Sequence, residues 1–192
     1  MDTYHVVLYI HFISLLIGFG AASVIAVCLF RLRGAQTGAD AAPWGKLAGQ
    51  TERMFPIAIL GLFGSGAYMT SKVWTWGTGW IDVAIVVVVL LAVQGAGIAG
   101  RRAHALKQAL QENGPGPLGE KTRRLARDPA LWGISFANPG MVLGVMWAMS
   151  EKPSTAVSVV AVVVGYAVGA ALGLRFARTP GMAAEAVAEP TA

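Results

Sequence analysis

Charge is what this sequence has least of. Only 13% of its 192 residues are Asp, Glu, Lys or Arg, about half the share of an ordinary soluble domain, while 55% are hydrophobic and the mean hydropathy is +0.59. Lipid, not water, is the natural solvent for such a surface. Cysteine is nearly absent as well. The single Cys28 rules out an intrachain disulfide and a cysteine-pair zinc site, and its apolar setting makes it a small buried filler. No Lys, Arg, Asp or Glu lies clearly inside a long apolar run, which disfavours a carboxylate proton relay or a charged ion path. No phosphate-cradling glycine loop precedes a helix and no nucleophilic triad is recognisable. Nothing supports nucleic-acid binding, because the net charge of +5 is distributed as a topology signal.

That signal comes from five apolar segments, each near the ~20 residues a helix needs to cross a bilayer. They run over Val6–Phe30, Phe55–Ser71, Trp80–Gly100, Leu131–Ser150 and Thr155–Ala177. The Val-rich core of the third would suit a buried strand in water, but an open strand in lipid leaves its backbone unpaired, so helix is expected. Thirteen of the fifteen Lys and Arg residues fall between spans one and two, between spans three and four, or after span five; only Lys72 and Lys152 lie on the other side. The positive-inside rule therefore predicts an all-α, five-helix membrane bundle, a four-helix core plus a C-terminal helix, N-terminus outside and C-terminus in the cytoplasm. The first apolar run is longer than a signal-peptide core and follows no basic segment, so it reads as a retained helix. Residues 101–128 form the largest cytoplasmic loop, with a surface helix over Arg101–Glu112 broken at Asn113-Gly114-Pro115-Gly116-Pro117. Residues 179–192 read as a flexible cytoplasmic tail. Trp74, Trp76, Trp80 and Trp147 fit an outer aromatic belt, and Asp82 with Lys72 fits an interfacial ion pair.

Helices in lipid associate through small residues. Gly165, Gly169 and Gly173 repeat along one face of span five, giving either an internal seam or the contact for a homo-oligomer or larger membrane complex. Asn138-Pro139 in span four predicts a kink, with the asparagine bonding a freed carbonyl or a neighbouring helix.

The informative polar residues are histidines. His11 lies about 7 Å inside the outer edge of span one by helix rise, on a face shared with Tyr4, Ser14, Gly18 and Ala22, so it should turn toward the bundle. His5, one to two turns above, is the second candidate nitrogen donor, at the interface. Met69, Met146 and Met149 reach the same outer half and supply thioethers. A histidine with methionines suits haem b or copper; methionine is equally ordinary core filler. His104 lies in the cytoplasmic loop, so a bis-histidine haem within one chain is not available.

The segment His11–Gly20 (HFISLLIGFG), Gly64-Ser65-Gly66-Ala67-Tyr68, Trp80-Ile81-Asp82 and Trp147…Lys152-Pro153 resemble a bacterial inner-membrane family known as domain of unknown function 2269, over roughly residues 5–153. More distantly, the four-helix core is similar to the copper-resistance protein D domain and the HemJ-type protoporphyrinogen oxidases. The latter resemblance implies haem held by a first-helix histidine, here His11, and a working lysine in a later helix. This chain has no lysine inside any span. The expected role is a small accessory or binding protein of the bacterial inner membrane, holding haem or copper near His11. The alternatives are a HemJ-like oxidoreductase acting on a lipophilic substrate, or a structural subunit or small transporter without cofactor.

Overall fold

A computed structural model describes residues 2–179; the tail beyond Thr179 lies outside the described residues. The chain is an all-α bundle with no strand among the described residues, and five of its helical stretches are long and apolar enough to cross a membrane. The elements are α1 Thr3–Gly34, α2 Gly38–Thr51, α3 Met54–Val73, α4 Gly79–Val93, a π-helical turn Gln94–Ala99, α5 Gly100–Asn113, α6 Glu120–Ala126, α7 Pro129–Glu151 and α8 Thr155–Arg178. The expected spans lie in α1, α3, α4 with its π turn, α7 and α8. Their outer faces are apolar and uncovered. Leu60 is 72% exposed and Leu16 67%, a pattern that lipid tolerates and water does not.

Two buried clusters hold the helices. At the end carrying the basic residues, Leu29 and Leu32 of α1 meet Ala41, Leu106, Ala126, Leu131, Trp132 and Ala177, so α1, α2, α5, α6, α7 and α8 converge there. Trp132 is fully buried and its indole N–H donates to Ala126 O at 2.9 Å, satisfying its one polar atom. The second cluster, Ala84, Val87, Met141, Val145 and Val162, joins α4, α7 and α8.

The tightest contact is α7 against α8. Gly140 faces Gly165, Gly144 faces Ala161 and Val162, Gly169 faces Phe136 and Ala137, and Gly173 faces Trp132. A Cβ at Gly144 would lie 2.6 Å from Ala161 O and 2.7 Å from Val162 Cα. The glycine face of span five is thus packed within the chain, against α7.

The basic end holds more structure than a loop. Thr37 and Asp40 form a capping box for α2, whose presence between spans one and two was not anticipated. The turn after α5 is strapped to it: Gly38 N–H donates to Gly116 O at 2.8 Å and Leu118 N–H to Gln36 O at 2.9 Å. Gly114 takes φ +64°, a conformation cheap only for glycine. Asn113 closes the turn, accepting from Gly119 N–H at 2.7 Å.

Two local expectations fail. Asp82 and Lys72 form no ion pair; among the described residues the pairs are His5–Asp2, Arg102–Asp128 and Lys121–Glu112. Asp82 instead sits in the first turn of α4, where the helix dipole favours a carboxylate. Asn138 makes no side-chain hydrogen bond to a freed carbonyl or a neighbouring helix among the described residues, and its Oδ1 is buried without a partner.

Candidate functional site

The only histidine inside the bundle is placed by the pairing of α1 and α3. On α1 the buried residues His11, Ser14, Ala21, Cys28 and Leu32, with Gly18 between, follow alternating steps of three and four. That is a heptad seam, not a straight 3.6 stripe, so Ala21 takes the place expected for Ala22. The partner face of α3 is Ala58, Gly61, Ser65 and Gly66. A Cβ at Gly18 would touch that of Ala58 at 3.6 Å, and a Cβ at Gly61 would overlap Ser14 Oγ. Small residues on both helices let the backbones approach, and His11 is 6% exposed as a result.

His11 Nδ1 lies 2.9 Å from Ser65 Oγ. The Ser65 hydroxyl in turn donates to Gly61 O, with Leu62 O at 3.3 Å. A serine has one proton. With that proton on Gly61 O, the contact to His11 requires imidazole Nδ1–H as donor and Ser65 Oγ as acceptor. In that tautomer a neutral ring has its lone pair on Nε2, and the contact to Ser65 orients the imidazole. Ser14 is satisfied separately, donating to Ile10 O at 2.8 Å, so it does not compete for the imidazole.

The other residues expected at this site divide. Met69 lies one turn beyond Ser65 on the same face of α3, half-buried. Met149 packs instead against the α4–α7–α8 cluster, and Met146 is 38% exposed on the outer surface of α7. His5 has a side chain 69% exposed and lies 3.7 Å from Asp2. It sits six residues from His11, about 120° around the helix, and does not join it. No group of three or more His, Cys, Asp or Glu side chains converges among the described residues.

The seam also tests which cofactor fits. A haem edge needs a slot between helices. Here α1 and α3 meet through Gly18 against Ala58 and Gly61 against Ser14, and a Cβ at Gly66 would already lie 3.8 Å from His11 Cε1. A macrocycle does not fit between these helices. A single soft ion needs only two donors, and an imidazole nitrogen with a thioether is a suitable pair for Cu(I).

A second polar contact at membrane depth escaped the residue-by-residue reading. Tyr166 O–H of α8 donates to Gln94 Oε1 at 3.0 Å, where α4 changes into its π turn, a helix irregularity frequent at functional positions. Gln94 carries no charge, so a search for ionisable residues passes over it; an amide in the middle of QGAGIA was the available signal. Ser65 was visible only as part of Gly64-Ser65-Gly66.

No family model, curated protein or solved structure matches the chain. The chemistry of the seam therefore carries the functional reading.

Proposed function

We propose that this chain is a small multi-pass protein of the bacterial inner membrane, of binding or accessory type. Its site is His11 on the α1–α3 seam, and the ligand that suits it is a soft monovalent metal ion, Cu(I), held by His11 Nε2 and the Met69 thioether. The observation that supports this reading is the Ser65 contact, which orients a buried imidazole through Nδ1 and leaves Nε2 as the nitrogen that would take the ion. Such an outer-shell partner is what a metal-bound histidine ordinarily has, and it raises ligand basicity. Ser65 holds the ring, His11 supplies the nitrogen, and the small residues Gly61 and Gly66 allow the close approach. The expected haem b is the poorer fit for the reason of space given above, and a HemJ-like oxidation lacks its intramembrane lysine.

The test is titration of the detergent-purified chain with Cu(I) against a chromophoric chelator, with His11→Ala and Met69→Leu alongside. One ion per chain in the parent, none in His11→Ala and weakened retention in Met69→Leu is the expected result. A Soret band on purification that disappears in His11→Ala would replace copper by haem. A well-folded parent that takes up neither would leave a structural role for the His11–Ser65 pair.

A further inference from the structure

The basic end of the molecule offers a second site, remote from His11. Several of its cations are engaged. Lys121 pairs with Glu112 at 2.8 Å and Arg102 with Asp128; Arg31 lies over the Trp44 ring and Arg33 over those of Phe30 and Trp132. Lys46 on α2, Arg53 at the α2–α3 junction and Lys107 on α5 make no ion pair among the described residues. All three line one groove between α2 and α5, of about 540 Å³. Glu52 lies within electrostatic reach of Lys107 and His104 but is not part of the groove wall.

Small residues of α2 shape this groove: Gly38 and Gly45 let Gly114 and Leu110 approach closely, and Gly49 leaves the space in front of it open. The small residues Gly38, Ala42, Gly45 and Gly49 of this helix recur at steps of four, three and four, so they share a face, and all four line the groove. A Cβ at Gly49 would meet nothing within 4 Å: the space in front of it is empty. Gln50 and Gln111 add amide donors to the same wall. Three like charges around one concavity repel one another, and an anion that neutralises them gains charge-assisted hydrogen bonds from all three. A volume of this size lies in the range of small-molecule pockets.

We propose that the α2–α5 groove binds a soluble, phosphate-bearing small molecule through Lys46, Arg53 and Lys107. The probe is sodium pyrophosphate, titrated calorimetrically into the full chain in a neutral detergent. Saturable binding of one per chain is expected, weakened roughly 10-fold by Lys107→Gln, the loss of one charge-assisted hydrogen bond. Gly49→Leu is the decisive variant. It keeps every charge, meets no neighbour at its Cβ, and fills the groove, so binding should be lost while helical content and thermal unfolding match the parent. Lys121→Gln, which removes an equal charge outside the groove, should leave binding unchanged. Absence of saturable binding would overturn the proposal. So would binding indifferent to Gly49→Leu, or a Lys121→Gln effect as large as that of Lys107→Gln, because either would reduce the interaction to diffuse surface charge. Native mass spectrometry of the chain in nanodiscs of phosphatidylglycerol and phosphatidylcholine covers the remaining source. Retention of phosphatidylglycerol in the groove with no pyrophosphate binding would also overturn it.

Discussion

Replacing Gly144 by alanine should weaken the α7–α8 seam by a measurable amount. The added Cβ would lie 2.6 Å from Ala161 O, 2.7 Å from Val162 Cα and 2.8 Å from Ala161 C, where ordinary contact begins at 3.4 Å. All three neighbours are backbone atoms, so no side chain can rotate aside and α8 must retreat by most of an ångström. Overpacking of this kind costs about 1–3 kcal/mol, and the retreat also loosens Gly140 against Gly165 and Gly169 against Phe136. Alanine regains about 1 kcal/mol of helix propensity over glycine. The net expectation is a loss of up to about 2 kcal/mol. Gly20→Ala is the control: a Cβ there meets nothing within 4 Å, so it should be neutral or stabilise by up to about 1 kcal/mol. The assay is reversible unfolding in mixed micelles of rising denaturing-detergent fraction. Equal midpoints for Gly144→Ala and Gly20→Ala would refute the reasoning, because the seam would then not be the close contact described.

Other consequences follow from single contacts. Ser65→Ala leaves the buried His11 Nδ1 without its hydroxyl partner, costing about 1–3 kcal/mol by the same unfolding assay; in the Cu(I) titration it should lower affinity about 10–100-fold. Asp128→Ala removes the cap that accepts from Ala130 N–H at 2.8 Å and Leu131 N–H at 3.3 Å, together with the partner of Arg102. A loss of about 1–2 kcal/mol is expected, with amide exchange accelerated first at the start of α7. Tyr166→Phe deletes one hydrogen bond to Gln94 and should cost only about 0.6 kcal/mol, since such bonds are weak inside membranes. A loss several times larger would mean that the π turn depends on that hydroxyl.

The bundle was legible because its determinants are local and repetitive. Apolar length, the placement of Lys and Arg, and the glycines at 165, 169 and 173 each act without reference to distant residues. The partner of those glycines was not legible, since Gly140 and Gly144 follow Pro139 and read as part of a kink before they read as a seam. α2 was hidden for a related reason. Gly38-Ala39-Asp40-Ala41-Ala42-Pro43 looks like a loop by propensity, and only the Thr37–Asp40 capping box, with the strap from Gly116 and Leu118, shows why it is helical. At the site, a helical wheel turned His11 inward, but Ser65 lies 54 residues away and no periodicity links the two. The three methionines were grouped by depth alone. Depth does not fix azimuth, so only Met69, one helical turn from Ser65, shares its face.

The most direct test of the account is X-ray absorption at the copper edge on the Cu(I)-loaded full chain. The account predicts a low-coordinate ion with one imidazole nitrogen and one thioether sulfur, the sulfur contribution vanishing in Met69→Leu and the bound copper in His11→Ala. A chain that holds no copper, or one whose copper survives the loss of His11, would contradict it.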